Sequence, residues 1–263
     1  MIRIACIVVV AILSTFAPAS GQTALISASP ATIEAIKDLV IANRILHDRG
    51  IIDAYGHVSI RHPANTNLYL MARAVAPGVV TAEDIMEFDL DSNPVDQRGR
   101  SMSVERYIHS EIYKVRPDVN SVIHTHSMGV IPFGITQVPL KPVFGGAAFL
   151  HPNVPVFEIR DMPGVTDLRV RTSALGKALA ITLGDRAVAL MRGHGNVVVG
   201  RNVQVAVLRA IYTDDNARLQ AIALSLGGPI NYISPEEAAA RVKSEDPSRA
   251  WELWKAMLNR KLQ

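Results

Sequence analysis

Three histidines are the side chains of this 263-residue chain whose type and spacing first suggest chemistry. His124 and His126 form a His-x-His pair in residues 120–126, a stretch that predicts a β-strand. Because side chains alternate across a strand, both imidazoles face one side, where they could bind one divalent ion at about 2.0–2.1 Å. His194, between two glycines on a predicted turn, is the third candidate ligand. Three protein ligands leave an open coordination position, which is typical of a catalytic metal site.

The same pattern has an ordinary explanation. A His-x-His pair arises easily in a chain that contains eight histidines, and hydrogen-bonded histidines of a half-buried strand need no metal. Spacing alone therefore leaves the metal site undecided.

Glu105 is the candidate acid. It lies in SVERYIHSEIYKVRP, where apolar residues recur at helical spacing, Ser103 can cap the helix and Pro117 marks its end. A carboxylate near a metal acts as a fourth ligand or carries protons, and burial can raise its pKa toward the working range. The alternative is an exposed helix glutamate, a role for which Glu111 is the better candidate.

Helical and strand patterns alternate along the rest of the chain, which favours a single α/β domain. Asn202 is a good cap for a long helix, and Thr81 with Asp84 suggests a capped turn. Trp251 and Trp254 are expected to be packing anchors. The patterns predict helices over residues 30–50, 103–117, 128–136, 168–183, 202–226, 235–242 and 247–261, and strands over 57–61, 68–71, 86–90, 120–126, 154–159 and 187–191.

The N-terminus predicts a secretory signal peptide over residues 1–21, with Arg3, a short apolar run and small residues before cleavage after Ala19 or Gly21. We therefore expect a periplasmic or secreted protein whose mature part, residues 22–263, forms one domain with C-terminal helices. Cys6 is the chain's only cysteine and lies in the leader, so disulfides and thiolate ligands are excluded from the mature chain.

Composition narrows the class of partner. A hydrophobic content of 49% is enough for a substantial core. Removal of the leader lowers the net charge only from +3 to +2, and no long basic run follows. We therefore expect no nucleic-acid binding and no stable membrane association after cleavage.

The order of these residues resembles the class II aldolase/adducin family. Glu105, then His124-Thr-His126, then Gly193-His194-Gly195, with GHVSIR upstream, match that family over residues 29–226. The runs DAYGHVSIRHP, ERYIHSEIYKVRPDVNSVIHTHS and ALMRGHG look closest to the branch of 2-hydroxy-3-carboxymuconic semialdehyde and dihydroxyphthalate decarboxylases.

The resemblance implies a three-layer αβα sandwich with a central mixed sheet, and a homotetramer whose active sites lie between subunits. It also implies that His124, His126 and His194 bind one divalent metal and that Glu105 is the catalytic acid/base. Zinc is the first expectation for this metal, with manganese, cobalt and iron as alternatives, because three imidazoles accept all of them.

The chain departs from the family's sugar-phosphate aldolases where those enzymes hold phosphate. They carry an asparagine in a GN-x-S loop and serine pairs, whereas this chain has Gly56-His57-Val58-Ser59, Ala76-Pro77-Gly78 and Ser103-Val104-Glu105. We therefore expect a metal-dependent decarboxylase, a carbon–carbon lyase, that acts on a hydroxy- or oxo-carboxylic acid from aromatic catabolism through a metal-stabilised enolate.

Two alternatives remain: a sugar-phosphate aldolase or pentose-phosphate epimerase, and a non-catalytic adducin-like interaction protein. Retention of all three histidines and Glu105 argues against the latter. For the catalytic acid we nominate Glu105, with His57 as the second candidate. Ser59, Arg73 and Tyr212 are assigned to substrate contact, Tyr212 across a subunit boundary.

Overall fold

The structure is a computed structural model that describes residues 29–164 and 167–261. The predicted signal peptide lies outside the described residues. Seven strands form one sheet: β1 (His57–Arg61), β2 (Leu68–Ala72), β3 (Ile85–Asp89), β4 (Ser121–Thr125), β5 (Val156–Phe157), β6 (Val188–Met191) and β7 (Gly195–Gly200).

The sheet is mixed, with strand order β3-β2-β1-β4-β7-β6-β5. All neighbouring strands are antiparallel except β5 and β6, which are parallel. β7 lies between β4 and β6, and Thr125 at the end of β4 pairs with Asn196. The turn that joins β6 to β7 is therefore held beside the end of β4.

Helices cover both faces, as a three-layer αβα sandwich requires. They are α1 (Pro30–Asp48), α2 (Tyr107–Val115), α3 (Ile131–Ile135), α4 (Ser173–Leu183), α5 (Val203–Leu226), α6 (Pro235–Lys243) and α7 (Ser248–Lys261). α1, α5 and α7 pack on one face, and α2 and α4 pack on the other. Alternation along β7 serves both layers, since Val198 joins the first core while Val197 and Val199 join the second. The predicted fold class is confirmed.

Local signals placed several elements correctly. Ser29 caps α1, and its hydroxyl accepts the Thr32 N–H. Asn202 caps α5 in the same way, and Thr81 with Asp84 forms a capping box on a short 3₁₀ turn. Trp251 and Trp254 are buried in the core, as expected of packing anchors. Among the described residues, no helix combines the length and apolar character needed to cross a membrane.

Several elements differ from the predictions, among them β5, which spans only Val156–Phe157. α2 begins at Tyr107 rather than after Ser103, because residues 104–106 form a turn in which Ser103 Oγ accepts the Glu105 N–H. α4 begins at Ser173, where Thr172 supplies the cap, so the apolar residues from 168 onward precede the helix. β7 was not predicted. Its continuous valine run is buried on both faces, so the sequence shows no alternation of apolar and polar residues.

Candidate metal centre and its cavity

The three predicted metal ligands come from two neighbouring parts of the sheet. His124 lies within β4, and His126 follows directly after the strand ends. His194 lies on the turn between β6 and β7, where its N–H donates to the Met191 carbonyl oxygen at 3.0 Å. Gly193 supplies the positive φ of +65° that this turn needs. Pairing of β4 with β7 therefore brings the His-x-His pair and the turn together.

The Nε2 atoms of the three imidazoles converge. His126 Nε2 lies 3.1 Å from His124 Nε2 and 3.1 Å from His194 Nε2. Glu105 Oε2 lies 3.8 Å from His124 Nε2 and 3.6 Å from His194 Nε2. The four donor atoms all lie within 4.8 Å of one another. One carboxylate and three imidazoles thus surround a single point.

This donor set fits a divalent ion. Nitrogen ligands about 2.0–2.1 Å from a tetrahedral ion lie about 3.3–3.4 Å apart, close to the observed separations. The opposite ring nitrogens of two ligands have acceptors: His124 Nδ1 lies 3.2 Å from the Asn196 carbonyl oxygen, and His126 Nδ1 lies 3.0 Å from an Asp53 carboxylate oxygen. Protons on Nδ1 leave the Nε2 lone pairs free for a metal.

The charge states also suit a cation. Burial, followed by the charges of neighbouring histidines, lowers the pKa of His124 well below its usual value, and burial lowers the pKa of His194 to about 4. Both rings are therefore neutral near pH 7, as metal ligation requires. Burial alone would raise the pKa of Asp53, but hydrogen bonds from Tyr55 N–H, His126 and Gly56 N–H outweigh it and lower that pKa. Asp53 is thus an ionised partner for His126.

Glu105 is buried on the turn before α2. Its Oε1 accepts the Val170 N–H at 2.9 Å, while Oε2 faces the imidazoles. Burial raises the pKa of this carboxyl, although the Val170 hydrogen bond and the charge of His126 oppose the rise. A carboxyl with a raised pKa beside a cluster of metal donors is suited to carry a proton.

A cavity of about 560 Å³ opens onto Glu105, His126 and His194. Its other walls carry two arginines, Arg73 and Arg169, and several apolar side chains. The apolar walls include Ala54, Met71, Ala72, Val75, Met102 and Val104. The cavity is large enough for a small organic molecule and has a cationic as well as an apolar side.

His57, the second catalytic candidate, and Arg73, a predicted substrate contact, both line this cavity. His57 is buried, and burial together with the charge of His109 lowers its pKa well below the usual value. Arg73 donates through Nε to Asp84 at 2.6 Å, and its side chain is 37% exposed. Among the described residues, the Asp84 contact is its only ion pair.

The structure does not bring the other two predicted contact residues to the cavity. Ser59 is fully buried behind His57 and hydrogen-bonds to His109 and Tyr113, so its expected direct contact with substrate needs correction. Ser59 and His57 lie on the same face of β1. The Ser59 side chain is covered by α2, which carries both of its hydrogen-bond partners. Tyr212 lies on α5 beside Phe144 and lines a different cavity of about 360 Å³.

Three residues of the site were missed by sequence reasoning. Asp53 supports His126, Arg169 lines the cavity, and His109 bonds to His57. Only His109 had a sequence pattern that could have revealed it. His109 and Tyr113 are four residues apart and share a face of α2, and His57 and Ser59 are two residues apart and share a face of β1. Which helix packs on which strand was not visible from spacing.

Comparison with known proteins identifies the family of this chain. Residues 37–221 match the family described as Class II Aldolase and Adducin N-terminal domain. Decarboxylase tropJ of Talaromyces stipitatus is 35% identical over 250 residues, which cover 86% of this chain and 94% of that protein. The 3,4-dihydroxyphthalate decarboxylase of Arthrobacter keyseri is 30% identical over 227 residues, covering 80% of this chain and 88% of the relative.

The fold is also that of a solved relative. L-fuculose 1-phosphate aldolase from Glaciozyma antarctica superposes with a TM-score of 0.71 at 20% identity, covering 87% of this chain and 91% of the other. The chain belongs to the class II aldolase/adducin family. Within that family it is an enzyme of the carbon–carbon lyase type, related to both decarboxylases and aldolases. The family uses a divalent metal, and the His/Glu cluster described above could bind one.

Proposed function

We propose that this protein is a metal-dependent decarboxylase of a hydroxy- or oxo-carboxylic acid from aromatic catabolism. The observation that carries the proposal is the cavity. Glu105 and two of the imidazole donors, His126 and His194, line it together with two arginines and apolar side chains, and His124 completes the donor cluster. An aromatic acid offers matching groups, namely oxygens for a cation, a carboxylate for arginine and a flat apolar ring.

The arginines and the apolar walls would orient the substrate. Arg73 and Arg169 each carry a guanidinium that can bind a carboxylate through two parallel hydrogen bonds. Met71, Met102 and Val104 offer surface against which a ring can pack.

His124, His126 and His194 would hold the ion, with zinc as the first candidate. A divalent ion there supplies a Lewis acid that stabilises negative charge on a substrate oxygen. During decarboxylation the carbon–carbon bond to the carboxylate breaks, carbon dioxide leaves, and the electron pair stays with the substrate. Glu105, with its raised pKa, would then give its proton to the substrate carbon.

The cavity does not reproduce the asparagine and the serine pairs expected to hold phosphate in sugar-phosphate aldolases, although Asn43 and Ser103 line it. Ala76 and Val104 line it at the two loops where sugar-phosphate aldolases are expected to carry phosphate-binding residues. Arg73 is paired with Asp84 and Arg169 with Asp167, which offsets part of their positive charge. Cleavage of a sugar phosphate is therefore the second candidate activity, and it is tested beside decarboxylation.

The experiment compares the two reactions on one preparation. The zinc-loaded protein is incubated with 3,4-dihydroxyphthalate, and carbon dioxide and 3,4-dihydroxybenzoate are measured; a second sample receives L-fuculose 1-phosphate. We expect carbon dioxide release that Glu105→Gln reduces and that Glu252→Gln, at an exposed position on α7, leaves unchanged. Efficient cleavage of the sugar phosphate without carbon dioxide from 3,4-dihydroxyphthalate or other hydroxy- and oxo-acids would overturn the proposal.

Assembly is a further part of the proposal. We propose a homotetramer with active sites between subunits, which would give Tyr212 a way to reach a neighbouring site. Light scattering on the purified protein tests the assembly. A Tyr212→Phe variant with unchanged KM and kcat would remove Tyr212 from the site.

We also propose export through residues 1–21, followed by cleavage after Ala19 or Gly21. The apolar run and small residues of this segment support the proposal. Fusion of the intact leader to an alkaline phosphatase reporter, which is active only outside the cytoplasm, tests it. An inactive fusion would withdraw the periplasmic assignment.

A further inference from the structure

A chain of three short hydrogen bonds runs through the layer between β1 and α2 and ends at the cavity. Tyr113 OH lies 2.7 Å from Ser59 Oγ, and Ser59 Oγ lies 2.7 Å from His109 Nδ1. His109 Nε2 lies 2.7 Å from His57 Nδ1. All four side chains are buried. The four side chains of this hydrogen-bonded network are therefore shielded from bulk water.

The hydrogen-bonded chain ends at His57. His57 Nε2 is buried and has no hydrogen-bond partner among the described residues. His57 lines the same cavity as Glu105 and His126. Buried polar atoms without a partner are rare in folded proteins, so this nitrogen needs a partner that the described residues do not supply.

The direction in which each hydrogen bond of this network is donated follows from the Tyr113 end. Among the described residues, Ser59 Oγ is the only hydrogen-bond acceptor within reach of the buried Tyr113 hydroxyl. The phenol hydrogen is then left for Ser59 Oγ. Ser59 in turn donates its hydrogen to His109 Nδ1.

The direction of the Ser59 hydrogen bond also determines which nitrogen of His109 donates to His57. Burial lowers the pKa of His109 to about 3, so the ring is neutral and has one donor and one acceptor nitrogen. Since Nδ1 accepts from Ser59, Nε2 carries the proton and donates to His57 Nδ1. The opposite order would leave the buried Tyr113 hydrogen without an acceptor among the described residues.

We propose that Tyr113, Ser59 and His109 are positioning residues that hold neutral His57 with its proton on Nε2, and that this N–H donates a hydrogen bond to a substrate oxyanion. The oxyanion is a carboxylate or phenolate oxygen. The inference rests on the proposed function for the identity of that substrate. It assigns Ser59 an indirect role in place of direct contact.

The same chain argues against His57 as the proton source. If His57 gave up its Nε2 proton, replacement along the chain would leave a phenolate at Tyr113. Burial raises the pKa of that phenol, so the charge would be strongly disfavoured there. His57 is thus a fixed hydrogen-bond donor that stabilises charge in the cavity, and Glu105 remains the proton carrier.

The first test reads the tautomer directly. Zinc-loaded protein labelled with ¹⁵N-histidine is examined by NMR, and the His57 signals are assigned by their absence in His57→Gln. We expect the proton on Nε2 of His57. A proton on Nδ1 in the wild-type protein would overturn the inference.

Substitution of His109 separates positioning from proton transfer. His109→Gln can accept from Ser59 and donate to His57 but cannot relay a proton, whereas His109→Leu can do neither. We expect His109→Gln to retain the Nε2 tautomer and His109→Leu to lose it. Should His109→Leu fail to fold, Ser59→Ala interrupts the same chain with a smaller change. If His57 kept the Nε2 tautomer in all of these variants, the inference would be contradicted.

A matched pair of tyrosines controls for packing. Tyr113→Phe removes the hydroxyl that orders the chain, and Tyr69→Phe removes a buried hydroxyl that bonds to Ser92 outside it. We expect only Tyr113→Phe to broaden the His57 tautomer population. An equal effect of both substitutions would indicate general loosening of the core and overturn the assignment.

Ligand binding tests the free N–H. Affinity for 3,4-dihydroxybenzoate is measured by calorimetry with zinc-loaded wild-type protein, His57→Phe, His109→Gln and His109→Leu. We expect His57→Phe and His109→Leu to bind at least about 10-fold more weakly, because the hydrogen bond goes to a charged oxygen, and His109→Gln to bind within about threefold of wild type. Equal binding by His57→Phe would overturn the substrate contact.

Failure of the proposed function is distinguishable from failure of this inference. Absence of carbon dioxide release, or of probe binding by the wild-type protein, counts against the aromatic acid as substrate. The tautomer of His57 and its response to His109→Gln and His109→Leu are measured without substrate and decide the positioning role by themselves.

Discussion

Two groups of histidines lie side by side in this protein and are arranged in opposite ways. In the cluster of His124, His126 and His194, three Nε2 atoms point at one another. In the pair of His57 and His109, a nitrogen of one ring meets a nitrogen of the other within a longer hydrogen-bonded chain. His57 and His124 are ring neighbours, with centroids 5.0 Å apart.

The difference lies in what occupies the space between the nitrogens. Three converging lone pairs leave room for a cation, whereas a linear donor–acceptor chain holds a proton at every junction. The residue type is the same, so function is set by the partners on the far side of each ring. Asn196 and Asp53 serve the cluster, and Ser59 with Tyr113 serves the pair.

The largest expected effect separates the two groups by metal content. Purified without chelator, the protein should contain about one divalent ion per chain. His194→Ala should bind the ion more than about 100-fold more weakly, since loss of an outer partner alone typically costs 10–100-fold. His57→Ala should retain the ion. Elemental analysis of the three proteins checks this, and equal content in all of them would abolish the distinction.

The next effect concerns Glu105, which faces the cluster. Glu105→Gln should reduce kcat for decarboxylation by about 10²–10⁴-fold, because it removes the proton carrier while keeping the shape of the side chain. Glu111→Gln is the matched control, since Glu111 is a buried carboxyl on α2 that bonds to Lys114 and Ser173. Steady-state kinetics should show unchanged kcat in that control. A similar loss in both would point to damage of the helix.

A pH effect of intermediate size tests the buried pair. The pKa of His109 is about 3 in the folded protein, below its value in the unfolded chain, so the unfolded state binds more protons in the window between them. Stability contributed by this group is present above pH 6.5 and is lost as pH falls toward 3. From pH 7 to pH 5 the loss should be about 2 kcal/mol.

Urea unfolding of the chelator-treated protein at pH 7 and pH 5 measures this loss. His109→Gln should lose about 2 kcal/mol less than wild type over the same interval, because glutamine does not titrate. The same pH dependence in both proteins would show that His109 does not contribute.

The smallest expected effect concerns the turn that carries His194. Gly193→Ala should destabilise the protein by about 1 kcal/mol, because an alanine is strained at a φ of +65°. It should weaken metal binding and leave the His57 tautomer unchanged. Gly145→Ala, where an added Cβ meets Arg241 at ordinary contact distance, is the control. Chemical denaturation and metal titration check both variants, and no change in metal affinity would show that the turn tolerates strain.

Sequence patterns predicted what depends on neighbours along the chain. Ser29 and Asn202 mark true helix starts because each caps backbone groups within three residues. The convergence of the three histidines was also anticipated, from the strand alternation for two of them and from the family resemblance for the third. The correct predictions thus came from residues close together in sequence or from the match to the family's motifs.

Pairings between distant elements were not predictable in this way. Asp53 and His126 are 73 residues apart, and His57 and His109 are 52 residues apart. Ser59 was expected to contact substrate, but it is buried under α2, where it bonds to His109 and Tyr113. Arg169 precedes α4 in a segment that was predicted to be helical, so its place on the cavity wall was hidden.

The position of β7 between β4 and β6 has a consequence for the lifetime of the protein. His126 and His194 are 68 residues apart in sequence, and only the folded sheet joins them. An ion that binds this arrangement but not the unfolded chain would stabilise the fold by about 4 kcal/mol at a free concentration of 1,000 Kd. Metal supply would then set how long each molecule survives proteolysis, as well as how many molecules are active.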